Sequence, residues 1–215
     1  MRAPLESGLR RGLDILGLAL ADTQIAQLLG YLQLIQKWNK VYNLTSVRDP
    51  SEMLTHHLLD SLAAVSPMRR QTAAEAVKLL DVGSGAGLPG VVVATCCPEI
   101  GVDCVDSVAK KAAFIQQAAV ELKLGNLRGL HSRVESLTEQ YAVIACRAFA
   151  SLPDFVAWSS GALADGGVWM AMKGKTPAAE IAALLDSVDV FHVEQLKVPG
   201  LDAERCIVWM KRIAG

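Results

Sequence analysis

Residues 79–90 read LLDVGSGAGLPG, an apolar run ending in an acid and a valine, then four glycines within eight positions. Glycine allows a tight turn and lets a ligand approach the backbone closely. Pro89 suits the first turn of a helix, whose leading N–H groups would face the same ligand. A strand that turns through glycines into a helix is the opening unit of a nucleotide-binding α/β fold.

The chain on either side agrees. From Val77 onward, short apolar runs alternate with helical segments: VKLLDV then PGVVVATCC, GVDCVDS then KKAAFIQQAAVELKL, NLRGLHS, YAVIACRAF then DFVAWSSGAL, and GGVWMAMKG. Unbroken apolar strands separated by helices mark a parallel sheet covered on both faces. HVEQLKVPG and AERCIVWMK are strand-like and joined by a short turn-rich link, which predicts an antiparallel hairpin at one sheet edge. The expected fold is therefore α/β: a doubly wound, mostly parallel, seven-stranded sheet over residues 71–215, preceded by a helical N-terminal extension over residues 1–70. In that extension Leu9, Leu13, Leu16 and Leu20 repeat at helical spacing. Ile25, Leu28, Leu29, Leu32 and Ile35 form the stripe of a second helix, capped by Asp22 or Thr23. WNKVYNLTSVRDP at 38–50 breaks the period and predicts a loop. Asp49 and Pro50 then start another helix with Met53, His57, Leu58, Ser61, Leu62 and Val65 on one face.

Of 215 residues 52% are hydrophobic, enough for a core without a disulfide or metal staple. Cys96, Cys97, Cys104, Cys146 and Cys206 form no C-x-x-C pair and have no histidine at zinc spacing, so they read as reduced core thiols and no metal is expected. The first twenty-one residues hold arginines and an Ala-Leu-Ala, but Glu6 and Asp14 interrupt any export signal. No apolar run reaches the ~20 residues of a membrane span, and a cytoplasmic protein is expected. A net charge of −1 argues against a nonspecific DNA coat while allowing a local basic patch.

Two ligands suit the glycine loop. Gly85-x-Gly87-x-x-Gly90 matches the dinucleotide fingerprint, which makes an NAD(P)-dependent oxidoreductase one alternative. The other is an S-adenosylmethionine loop, with an acid two positions before the first glycine. Asp81 is that acid. A carboxylate there would repel a pyrophosphate, whereas the donor carries a sulfonium and an amino group, both cationic. Asp106, closing the second strand, has two oxygens for the ribose hydroxyls; a cap on the helix bearing Lys110 and Lys111 is the lesser alternative and is compatible with ligand binding. Val134 and Glu135 follow the third strand, where an adenine could lie.

Cys146-Arg147-Ala148-Phe149 follow the fourth strand, where the methyl acceptor is usually met. This is not the Asn/Asp-Pro-Pro-aromatic turn of exocyclic amine methylation, and Cys146 reads as a core thiol rather than a nucleophile. Guanine N7 remains attractive, since its lone pair needs no general base and the enzyme has only to align it. A small-molecule methyltransferase stays open as an alternative.

KWNKVYNLTSVRDPSEMLTHHLLDSL, LLDVGSGAGLPG, VDSVAKKAAFI, SRVESL, CRAFASL and VPGLDAER closely resemble the bacterial RsmG family, also called GidB, from about residue 10 to the C-terminus. The resemblance implies a class I methyltransferase fold, S-adenosylmethionine as cofactor, and guanine N7 in the decoding-region loop of 16S rRNA as target. The partner is then 16S rRNA, the small subunit or an assembly intermediate, with no membrane, no DNA and a monomeric enzyme expected. Carried over by position, it puts Gly83, Leu88, Val134, Glu135 and Arg147 in the cofactor site, with Asp106 and Ser107 at the ribose; Asp81, Gly85 and Gly87 join them from the loop. Arg147 could hold the donor carboxylate or an RNA phosphate, or form an ion pair with Asp81 or Asp106. Asn43, Arg48, Lys173 and Arg205 are the RNA-side candidates. Phe149, Trp38 and Tyr42 could stack on bases, although packing is the simpler role for the last two. His57 falls on an apolar face and reads as a core or interface histidine.

Overall fold

The structure, a computed structural model, describes residues 2–73 and 75–213. Its sheet has seven strands in the order β3-β2-β1-β4-β5-β7-β6, made of β1 Lys78–Val82, β2 Gly101–Asp106, β3 Leu127–His131, β4 Tyr141–Arg147, β5 Leu163–Lys173, β6 Val188–Leu196 and β7 Arg205–Arg212. The first five pair in parallel, while β7 runs antiparallel to both β5 and β6. The strand order reverses between β1 and β4, and a ligand crevice opens at the carboxyl ends of strands at such a switch point. The glycine loop sits there.

Helices α1 Arg2–Leu16, α2 Asp22–Tyr42, α3 Pro50–Met53, α4 Asp60–Leu62 and α5 Val65–Gln71 form an N-terminal layer. Together with α6 Gly90–Cys96 and α7 Ala109–Glu121 they cover one face of the sheet. Leu28, Leu32, Leu58 and Val65 share a core with Leu79 of β1, Ala145 of β4 and Ile207 of β7, so the extension is built into the sheet's packing. On the other face α8 Leu152–Ser159 and α9 Ala178–Ala182 pack over Leu80, Ile144, Trp169 and Val208. Along β1, β5 and β7 the two clusters divide the strand by parity, since neighbouring strand residues point to opposite faces.

Three local expectations change. Helix α2 runs through the expected loop to Tyr42 because Trp38 packs on Tyr42 and Phe114, with centroids 5.1 and 5.4 Å apart; left-handed Asn43, at φ 49°, ends it. The cap of α2 is not Asp22 or Thr23: Ala21 N–H donates to the Gln24 side chain, and Asp22 accepts from Arg10. Helix α1 stops at Leu16 with Gly17 at φ 65°, leaving Leu20 in the link. The Asp49 cap is as expected, accepting from Ser51 and Glu52 amides at 2.8 and 3.1 Å. A π-helical turn, Leu54–Leu59, joins α3 to α4.

Candidate functional site

A cavity of about 440 Å³ opens at the switch point, in the size range of small-molecule sites. Its walls come from the ends of β1 and β2, the turn after β3, the loop after β4, and α8. Of the expected cofactor residues Gly83, Asp106, Ser107, Val134 and Glu135 line it, with Lys111, Phe149 and Trp158 among the others. Gly85 reaches it through Asp106, whose Oδ2 accepts the Gly85 N–H at 3.1 Å. Asp106 Oδ1 accepts the Val108 N–H at 2.9 Å, so the acid is the helix-start partner of α7 and also lines the cavity. Each oxygen keeps a lone pair for a hydroxyl. Gly83, at φ 62°, has no room for a side chain: a methyl group on it would collide with the Phe149 ring.

Asp81, Gly87, Leu88 and Arg147 are elsewhere, for a common reason. Leu79 faces the helical-layer core and Leu80 the opposite one. Asp81 therefore points beneath the loop, away from the cavity that Val82 lines. It is fully buried, and its Oδ2 accepts the Gly90 N–H at 2.8 Å. Oδ1 is buried without a hydrogen-bond partner among the described residues. Burial pushes this carboxyl up to about 7, against the opposing pull of the Gly90 amide and Arg147. The expected direct contact between Asp81 and a cationic ligand is thus replaced by one with the start of α6. The first amide of α6 thus binds a carboxylate of the chain itself. Leu88 is a core residue and Gly87 packs on Val91, so both shape the loop from behind.

Arg147 and Arg205 share the parity of Ala145 and Ile207 and point into the helical layer. Both meet Asp60, a buried acid: Arg147 Nη1 lies 2.7 Å from Oδ2 and Arg205 Nε 2.9 Å from Oδ1. Arg147 also donates to the His56 carbonyl at 2.8 Å. The ion pair foreseen with Asp81 or Asp106 is formed with Asp60 instead. Lys173, of opposite parity, is held by Glu180 and the Ala150 carbonyl, both at 2.8 Å. Lys173 and Arg205 are therefore neutralised within the fold, while Asn43 and Arg48 remain exposed and bond each other at 3.3 Å. His57 is buried against the Thr45 hydroxyl at 3.0 Å; burial, reinforced by Arg147, lowers its pKa. Cys146 is buried, and its thiol is pushed far up by loss of solvation.

Sequence reasoning missed Asp60 because a 3.6-residue period puts it about 200° from Leu58, on the outer face. The helix is instead buried all round, and its π-helical turn adds a residue per turn. It also missed Tyr31, whose buried hydroxyl donates to the Ala86 carbonyl and ties α2 to the glycine loop. A tyrosine within the apolar stripe of α2 was the available signal, since buried tyrosines need a partner.

The family profile described as "GidB: rRNA small subunit methyltransferase G" matches residues 24–208. A protein of Polaromonas sp. (strain JS666) named "Ribosomal RNA small subunit methyltransferase G" is 68% identical over 96% of this chain and 93% of its own length. One of the same name from Acidovorax ebreus is 64% identical over 98% and 96%. In fold the chain is similar to magnesium protoporphyrin IX methyltransferase of Synechocystis, solved with bound S-adenosylmethionine, at TM-score 0.62 and 15% identity over 91% of this chain and 99% of that one.

Proposed function

This chain belongs to the GidB family, rRNA small subunit methyltransferase G, and from that premise we propose that it methylates N7 of a guanine in the decoding-region loop of 16S rRNA, with the cavity as its S-adenosylmethionine site. The observation that carries the assignment is Asp106, a carboxylate with spare lone pairs at the end of β2, facing the cavity beside the glycine loop. When bound, S-adenosylmethionine supplies a methyl group on a cationic sulfur. Asp106 and Ser107 would take the ribose hydroxyls, Val134 and Glu135 the adenine side, and the open backbone at Gly85, next to Gly83, the amino-acid end. Asp81, Gly87, Leu88 and Arg147 are positioning residues that hold the loop and the adjoining strand end.

N7 fits this machinery because its in-plane lone pair attacks without losing a proton, so alignment supplies the catalysis. A covalent cysteine route is disfavoured by the buried, high-pKa thiol of Cys146. Of the RNA-side candidates we retain Asn43 and Arg48, since Lys173 and Arg205 are committed to carboxylates. Calorimetry tests the donor site: Asp106→Asn is expected to weaken S-adenosylmethionine binding by roughly 10- to 100-fold, the worth of one or two charged hydrogen bonds. Borohydride and aniline cleave RNA at 7-methylguanine and test the acceptor. Unchanged cleavage of small-subunit RNA after loss of the gene, or methyl transfer to free metabolites and never to ribosomal particles, would overturn it.

A further inference from the structure

One wall of the cavity, beside the glycine loop, is chemically unlike the rest. Asp106, Ser107, Lys111 and Glu135 give the other sides charge and hydrogen-bonding groups. This side presents two rings, Phe149 from the loop after β4 and Trp158 from α8, with centroids 5.8 Å apart and planes at 74°. Helix α8 buries Leu152, Phe155 and Val156 in the core but leaves Trp158 41% exposed at the cavity. An indole left open to water at a cavity wall is surface the fold does not use for packing.

The Phe149 ring rests on the Gly83 backbone, close enough that a side chain at Gly83 would collide with it. Ala148 stands between β4 and this ring at φ 51°, a left-handed conformation that a non-glycine residue adopts at a cost. Arg147 and Lys173, on the neighbouring strand ends, are engaged by Asp60 and Glu180, while Lys111 and Arg133 line the cavity from α7 and from the turn after β3. The two rings themselves offer flat, apolar faces, which suit a flat ring.

We propose that Phe149 and Trp158 are the acceptor-base platform, on which the guanine to be methylated stacks once splayed from its RNA strand. The proposal rests on the reading of the cavity as a donor site, and adds to it the residues that position the acceptor. Aromatic stacking is sequence-tolerant, because every base has a π-face. The platform therefore contributes affinity and orientation, while choice of guanine belongs to groups at the base edge.

The test uses the full chain with Trp158→Leu, Trp158→Phe and Phe149→Leu, each checked for a wild-type melting curve. S-adenosylmethionine Kd is read by calorimetry, and kcat and KM on small-subunit rRNA by methyl incorporation. Trp158→Leu and Phe149→Leu are expected to lower kcat/KM for RNA by roughly 5- to 150-fold, the alanine-scan range for one stacked base. Trp158→Phe should recover most of that loss. Cofactor Kd in Trp158→Leu should stay within about twofold of wild type, the split that a merely structural ring would not give. The platform is overturned if Trp158→Leu methylates RNA normally, or if its cofactor Kd rises in step with the RNA defect, which would put the rings in the donor site. A wild-type protein that binds no S-adenosylmethionine would overturn the donor-site reading itself, and the platform with it.

Discussion

Replacing Asp81 by asparagine is expected to make the protein more stable at pH 8, although Asp81 is fully buried beneath the glycine loop. Loss of solvation lifts its carboxyl from an ordinary 3.8 to about 7. The folded chain thus holds the proton more tightly than the unfolded chain, so stability attributable to Asp81 falls as pH rises from about 4 to about 7, then levels off. At about 1.4 kcal/mol per pH unit, the charged group costs the native state on the order of 4 kcal/mol above pH 7. Asparagine removes the charge, and its carbonyl oxygen can still accept the Gly90 N–H. Asp81→Ala removes that acceptor as well, leaving a buried amide unpaired at a cost of about 1–3 kcal/mol at every pH. Urea unfolding at pH 4.5, 6 and 8 gives the comparison, read as the wild-type minus Asp81→Asn difference so that other titrating groups cancel. The difference should be small at pH 4.5 and should favour the variant by up to about 4 kcal/mol at pH 8. A difference that favours wild type increasingly with pH would refute the reasoning. It would mean that Arg147 and the Gly90 amide outweigh desolvation and keep the carboxylate charged.

Three further outcomes are expected. Asp60→Ala should destabilise the fold by about 3–5 kcal/mol, because Arg147 and Arg205 would lose their shared buried partner; in Asp60→Ala/Arg205→Met the loss should be smaller than the sum of the single losses, as urea titration of the cycle would show. Gly83→Ala meets both the φ of 62° and the Phe149 ring, and should cost at least about 1–2 kcal/mol from the backbone alone, visible as a lower Tm. All five cysteines are buried, so a thiol reagent should label none in the native protein at pH 7.5 and all five in urea, and methylation should survive the native treatment.

Much of the fold was readable because each strand of the sheet's centre is a continuous apolar run and each crossover helix has its own period. The same property hid the site's finer structure. A strand buried on both faces shows no polar alternation, so nothing in LLDV or VIACR says which face a given side chain takes. LLDVGSGAGLPG accordingly identified the loop but misplaced its acid: Asp81 reads as a ligand contact by sequence distance and is a helix-start partner by parity. Arg147 and Arg205 share that fate. Once Leu79 is assigned to the helical-layer face, Asp81 follows from period two alone, and the β1–β4 register of Asp81 with Ala145 carries the assignment to Arg147.

Asp60 needed more than parity. It is an acid on the far side of an expected amphipathic helix, and its burial depends on the N-terminal layer closing over the sheet. Tyr31, bonded to the Ala86 carbonyl, makes the same point from α2. The layer that carries WNKVYNLT and HHLLDSL therefore grips the glycine loop at Ala86 and the ends of β4 and β7 at Asp60. These segments resembled one family more narrowly than the glycine loop did, and their contacts give a physical reason. The loop suits any donor-binding sheet of this kind, whereas the layer, through Asp60, determines how Arg147 and Arg205 are neutralised at the ends of β4 and β7.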